Sequence, residues 1–113
     1  MRTVTLGVSS MKDSKRRLAG AFEGRRQGAF IAFASPELLW KTLTEKRWEI
    51  LRTMAGEEAM SIREVARRVE RDVKAVHGDV QALLAAGVLN RVEEGVVFPY
   101  DAIHVDFTLT RAA

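Results

Sequence analysis

The sequence has no cysteine, which removes disulfides, thiolate metal sites and cysteine nucleophiles together. It has no low-complexity segment and no internal repeat. No apolar run approaches the roughly 18 residues that a membrane-spanning helix requires. The opening Met1-Arg2-Thr3-Val4-Thr5-Leu6 alternates polar and apolar residues, where an export signal would carry a continuous apolar run. The expectation is a cytoplasmic protein that does not enter a membrane. Groups for catalysis are missing as well: there is no nucleophile–base pairing and no phosphate loop. His77 and His104 stand far apart without matching carboxylate spacing. No catalytic residue, metal ligand or cofactor is expected, and the chain is not read as an enzyme.

What remains is 113 residues, 47% hydrophobic and 29% charged, enough for one compact domain with a modest core. The net charge of +3 is too small to argue for nucleic acid by itself. Its distribution says more. Residues 1–34 carry seven basic side chains against two acidic ones, and residues 35–113 carry eleven against thirteen. The positive excess therefore lies in the N-terminal third.

Residues 3–8 read as a strand with Val4, Leu6 and Val8 on one face. Ser9-Ser10 offers a cap, and Met11, Leu18 and Phe22 follow at helical spacing, suggesting a helix over roughly 11–23. Ala29-Phe30-Ile31-Ala32-Phe33 looks like a second strand, making the opening a β-α-β unit. Ser35-Pro36-Glu37 is a strong helix start, with Leu38, Leu39, Trp40 and Leu43 as the apolar face. Thr44 caps a further helix that buries Trp48, Leu51 and Met54, or the two are one helix bent at 42–44. Ala55-Gly56-Glu57-Glu58 is a loop.

Ser61-Ile62-Arg63-Glu64 reads as a reciprocal capping box, and Ile62, Val65, Ala66 and Val69 form one buried stripe. Glu70-Arg71-Asp72 interrupts that helix, with Asp72 placed to cap the next. This second helix buries Val73, Val76, Val80, Leu83 and Leu84 and stops at Gly87. Two short helices joined by a tight turn make a helix-turn-helix. Val88–Val92 and Val96–Phe98, joined through Glu93-Glu94-Gly95, suit a β-hairpin, or wing, and Pro99 limits its second strand. Ile103, Val105, Phe107 and Leu109 alternate as a closing strand, to pair with the opening strand of the same chain or of a partner.

A helix over 73–86 would present its outward face to a major groove. That face carries Ala75, Gly78 and Ala82, flanked by Lys74 and Gln81 on one side and Asp79 on the other. Small residues let the backbone approach closely, Lys74 reaches guanine or phosphate, and Gln81 reaches adenine or the backbone. His77 is either a packing residue or a phosphate contact. Arg67, Arg68 and Arg71 cluster at the turn as phosphate contacts, or form a solvated face paired with Glu64, Glu70 and Asp72. Arg91 on the wing would meet an adjacent backbone or the minor groove, although Glu93-Glu94 at the tip would repel phosphate. Lys15-Arg16-Arg17 and Arg25-Arg26 form a basic arm or the solvated side of the first helix.

Several stretches together carry a family resemblance: Leu43-Thr44-Glu45-Lys46-Arg47-Trp48-Glu49-Ile50-Leu51, Ser61 through Arg68, Asp72 through Val80, Leu83 through Leu89, and Val97 through Ile103. Residues 36 to about 107 resemble small prokaryotic MarR-like winged-helix regulators, some of which look like the antitoxin half of toxin–antitoxin pairs. The resemblance implies transcriptional regulation, often of the protein's own operon, and dimeric binding to paired half-sites. The expected fold is α+β: a β-α-β extension over 1–34, a winged helix-turn-helix domain over 35–100, and a C-terminal strand over 101–113 packing on the extension. The expected function is a homodimeric repressor that binds double-stranded DNA. The alternative is an antitoxin whose main work is to bind and neutralise a toxin protein.

Overall fold

The computed structural model describes residues 1–8, 29–108 and 111. Among these residues the elements run β1 (Thr3–Val8), β2 (Ala29–Phe33), α1 (Pro36–Thr42), α2 (Glu45–Met54), α3 (Ile62–Val69), α4 (Val73–Ala85), β3 (Asn90–Val92), β4 (Gly95–Val97) and β5 (Ala102–Asp106). The class is mixed α+β. The expected helix over 11–23, the basic residues Lys15, Arg16, Arg17, Arg25 and Arg26, and Leu109 lie outside the described residues.

β1 is the centre of a three-stranded parallel sheet, ordered β2-β1-β5. Leu6 stands beside Ile31 on one side and Val105 on the other. A central parallel strand needs apolar residues to cover it, and Val4 and Leu6 are fully buried, with α1 packed over β1 and β2. The open question of the closing strand is answered within the chain: β5 pairs with β1 of the same molecule. The carbonyl of Arg2 accepts from the backbone N–H of Asp101 at 2.7 Å, and the Arg2 N–H donates to the Asp101 carboxylate at 2.8 Å. The Arg2 guanidinium lies over the Tyr100 ring, 5.2 Å from its centroid. β5 ends at Asp106, one residue before Phe107.

Two separate helices, rather than one bent helix, follow the sheet. The Ser35 hydroxyl accepts from Leu38 N–H, and the Thr44 hydroxyl accepts from Arg47 N–H. Between them Leu43 leaves helical geometry (φ −100°, ψ 70°) while its side chain stays buried. Leu39 and Leu43, one turn apart, carry the packing of this segment. Leu38 and Trp40 flank that narrow face and are 44% and 52% exposed, so they are not part of the core as expected. Trp40 instead meets Phe107 edge-on, with ring centroids 5.2 Å apart.

α4 buries Val76, Val80 and Leu83 completely, as its period requires; burial of each such side chain is worth roughly 1.5–3 kcal/mol. Val73, expected in that stripe, is 39% exposed because it stands at the first turn, ahead of the packed face. The same core contains Val4, Leu6 and Phe33 from the sheet and Ile50, Leu51 and Met54 from α2. Val88 and Leu89 are buried in the link from α4 to the hairpin and are not strand residues, and Phe98 is buried just beyond β4.

The hairpin pairs Arg91 with Val96 and Val92 with Gly95, so Glu93-Glu94 alone form its turn. Met60 and Val96 exchange two backbone hydrogen bonds of 2.9 Å. This bridge ties the hairpin to the residue preceding Ser61, which caps α3. Among the described residues no helix is long and apolar enough to cross a membrane.

Candidate nucleic-acid interface

The surface singled out by the sequence is built on α3, the turn at 70–72, and α4. The turn is short because both of its ends are capped. Glu70 takes a left-handed conformation, and Arg71 N–H donates to the Ala66 carbonyl at 3.1 Å. The Asp72 carboxylate then accepts from Lys74 N–H and Ala75 N–H at 3.1 and 3.3 Å, satisfying donors that a helix start leaves free.

With Val76, Val80 and Leu83 turned to the core, Lys74, Ala75, His77, Gly78 and Gln81 are all exposed, and Ala82 is half-buried. His77 is therefore not a packing residue. Its Nε2 lies 3.4 Å from the Gln81 amide nitrogen, one turn along the same face. Lys74 makes no ion pair among the described residues.

The arginines at the turn are less free than their number suggests. Arg67 donates through Nε and Nη2 to the two carboxylate oxygens of Glu64, at 2.7 and 2.6 Å. Arg68 donates through Nε to the same carboxylate at 2.7 Å and lies 3.4 Å from Glu57. The capping box is consequently half formed. The Ser61 hydroxyl accepts from Glu64 N–H, but both Glu64 oxygens face the arginines. Hydrogen bonds from Arg67 and then Arg68 lower the Glu64 pKa from an ordinary 4.5 to about 2, and the Arg67 pKa is raised in return.

Arg71 is drawn inward. Its Nη2 donates to Oδ2 of Asp79 at 2.8 Å, and both side chains are 17% exposed. Arg47 of α2 donates through Nε to the other oxygen, Oδ1, at 3.0 Å. Burial by itself would raise the Asp79 pKa. The hydrogen bonds from Arg71 and Arg47 outweigh burial and hold the carboxyl below its ordinary range.

Arg91 lies on β3, exposed, across from Val96, and the tip residues Glu93 and Glu94 are also exposed. The structure thus brings Lys74, Ala75, His77, Gly78 and Gln81 onto one helix face, with Arg67 and Arg68 on the preceding helix. Arg91 stands apart on the hairpin.

Two cations had no role in the sequence argument. Arg63 is exposed on α3 without an ion pair among the described residues. Its spacing of four from Arg67 was a usable sign that the two share a helix face. Arg47 meets Asp79 across 32 positions of sequence, and no local pattern announces that contact. No group of acidic and histidine side chains among the described residues is arranged to hold a metal ion.

The chain belongs to the HVO_A0114 family, which matches residues 42–105. The match covers α2, α3, α4, the hairpin and all of β5 but its last residue. Neither the curated proteins nor the solved structures contain a match to the chain.

Proposed function

We propose that this member of the HVO_A0114 family is a MarR-like winged helix-turn-helix regulator that binds double-stranded DNA, with α4 in the major groove and the β3–β4 hairpin as the wing. The observation that carries the reading is the division of α4. One face is wholly committed to the core, and the other exposes Lys74, Ala75, His77, Gly78 and Gln81 with two small residues at its centre. Lys74 is the donor for guanine or phosphate, and Gln81 the donor–acceptor pair suited to adenine. Arg67, Arg68 and Arg91 lie toward the flanking phosphates and supply affinity rather than sequence preference. The protein acts as a homodimer on two half-sites about one helical turn apart, repressing its own operon.

The test is selection of bound sequences from random duplex DNA, followed by titration of the enriched site at several salt concentrations. Enrichment of a two-half-site sequence is expected, with affinity falling steeply as salt rises and Lys74→Ala weakening it. No enrichment, and no duplex retained at low salt, would remove the reading.

A second reading has its own support. Glu93 and Glu94 project at the hairpin tip, and the carboxylates of Glu64 and Asp79 engage four arginines. A surface so neutralised suits a protein partner, as in an antitoxin that binds a toxin. Association with the product of a neighbouring reading frame, without DNA retention, is the result that favours it.

A further inference from the structure

The Arg47–Asp79–Arg71 cluster joins three elements through one carboxylate. Asp79 sits on α4 between outward Gly78 and inward Val80, at the border of the exposed face. Arg71 comes from the turn that leads into α4, and Arg47 from the first turn of α2. Arg47 also donates through Nη1 to the carbonyl of Thr42 at 2.9 Å, which extends the tie to the end of α1. The Nη1 atom of Arg71 is out of solvent and has no hydrogen-bond partner among the described residues. That guanidinium therefore points into the protein and not outward.

We propose that Asp79 is a positioning residue that fixes the orientation of α4 by holding Arg47 and Arg71, and that it thereby withholds both guanidinium groups from phosphate. The readout in DNA affinity rests on the function proposed above. Guanidinium–carboxylate bonds of 2.8 and 3.0 Å are charge-assisted and stronger than neutral ones. At this level of burial they are also screened less than surface pairs. A phosphate could recruit Arg71 only by stripping it from Asp79, leaving a partly buried carboxylate short of a partner. The competing view, drawn from the sequence alone, makes Arg71 a phosphate contact equal to its neighbours. The two views differ in how affinity depends on salt, because each phosphate contact adds about 0.9 to the slope of log K against log salt concentration.

The experiment titrates the full chain against a short random duplex across a salt series. Lys74→Gln should flatten the slope by about 0.9. Arg71→Gln should leave it unchanged, and Asp79→Asn should steepen it by about 0.9 or more as one or both arginines are released. A slope flattened by Arg71→Gln as much as by Lys74→Gln overturns the proposal, and so does an unchanged slope in Asp79→Asn. If Asp79→Asn does not fold, the Arg71→Gln slope decides. If the unaltered chain retains no duplex at low salt, the DNA reading fails separately. Hydrogen exchange then decides the positioning role. Asp79→Asn should speed exchange of α4 amides by about tenfold or more while the α3 amides hold, and equal exchange in both chains overturns it.

Discussion

Glu70 closes α3 in the same backbone position that Gly87 takes at the end of α4. Both have left-handed φ, 55° and 79°. At the first helix end, Arg71 N–H donates to Ala66 and Glu70 N–H to Arg67; at the second, Val88 N–H donates to Leu83 and Gly87 N–H to Leu84. This is the same six-to-one and five-to-two closure, with glutamate at one end and glycine at the other. An L side chain in that conformation costs roughly 1–2 kcal/mol, partly offset by the extra freedom glycine has in the unfolded chain. Glu70→Gly should therefore raise stability by about 0.5–1 kcal/mol. Gly87→Ala should lower it by a similar amount, since an added Cβ meets no atom within 4 Å and conformation alone decides. Urea midpoints of the two variants should move in opposite directions.

Gly95 is held more tightly. Its φ is 135°, and a Cβ there would collide with the backbone carbonyl of Met60. Alanine at this position is strained by its own backbone and also pushes apart the Met60–Val96 bridge. Gly95→Ala should cost about 2–3 kcal/mol, whereas Glu94→Ala at the neighbouring tip should be close to neutral. Thermal melts of the two variants, compared with the unaltered chain, check the contrast.

These two cases show where sequence is legible and where it stops. Ser35, Ser61, Asp72 and Gly87 were readable as caps because each acts on backbone groups within a few residues. The buried face of α4 was readable from the period of Val76, Val80 and Leu83. Contacts set by tertiary placement were not. Arg47 and Asp79 meet across 32 positions, and Met60 bridges to Val96. The pairing of the closing strand with the opening one was legible from its alternation, but not that both belong to one chain. Trp40 misled because hydrophobicity alone does not tell the centre of a helix face from its margin. The outward residues of α4 were legible as a face. The inward turn of Arg71 was not, because its partner lies on the next helix.

Acid should expose the two carboxylates in different ways. The folded pKa of Glu64 is about 2 against an ordinary 4.5, and that of Asp79 lies below its ordinary 3.8. A carboxylate with a depressed folded pKa stabilises the fold above its unfolded value and loses that contribution as pH falls toward the folded one. Stability should thus decline on acidification from about pH 4.5 toward 2. Glu64→Gln should flatten part of this decline at low salt and have little effect at high salt, because its pairs are exposed and screened. Asp79→Asn should flatten the lower part of the decline, and its effect should survive high salt. Urea midpoints at pH 2.5 to 6 in low and high salt separate the two.

Gly78 offers a test in which stability and function part company. It lies in the interior of α4, its φ is not positive, and a Cβ built on it meets nothing within 4 Å. Nothing within the described fold therefore requires glycine, although glycine in a helix interior is about 1 kcal/mol worse than alanine. Gly78→Ala should raise the stability of the isolated chain by about that amount. If α4 lies in a major groove with its small residues innermost, the same methyl intrudes where backbone and bases meet. Duplex affinity should then fall by about tenfold or more, as overpacking of a close contact costs about 1–3 kcal/mol. Urea denaturation and duplex titration of the one variant give both numbers. Higher stability with weaker binding places the centre of α4 against DNA. Higher stability with unchanged binding moves the contact surface away from Gly78, to the flank of Lys74 and Gln81 or off the helix altogether.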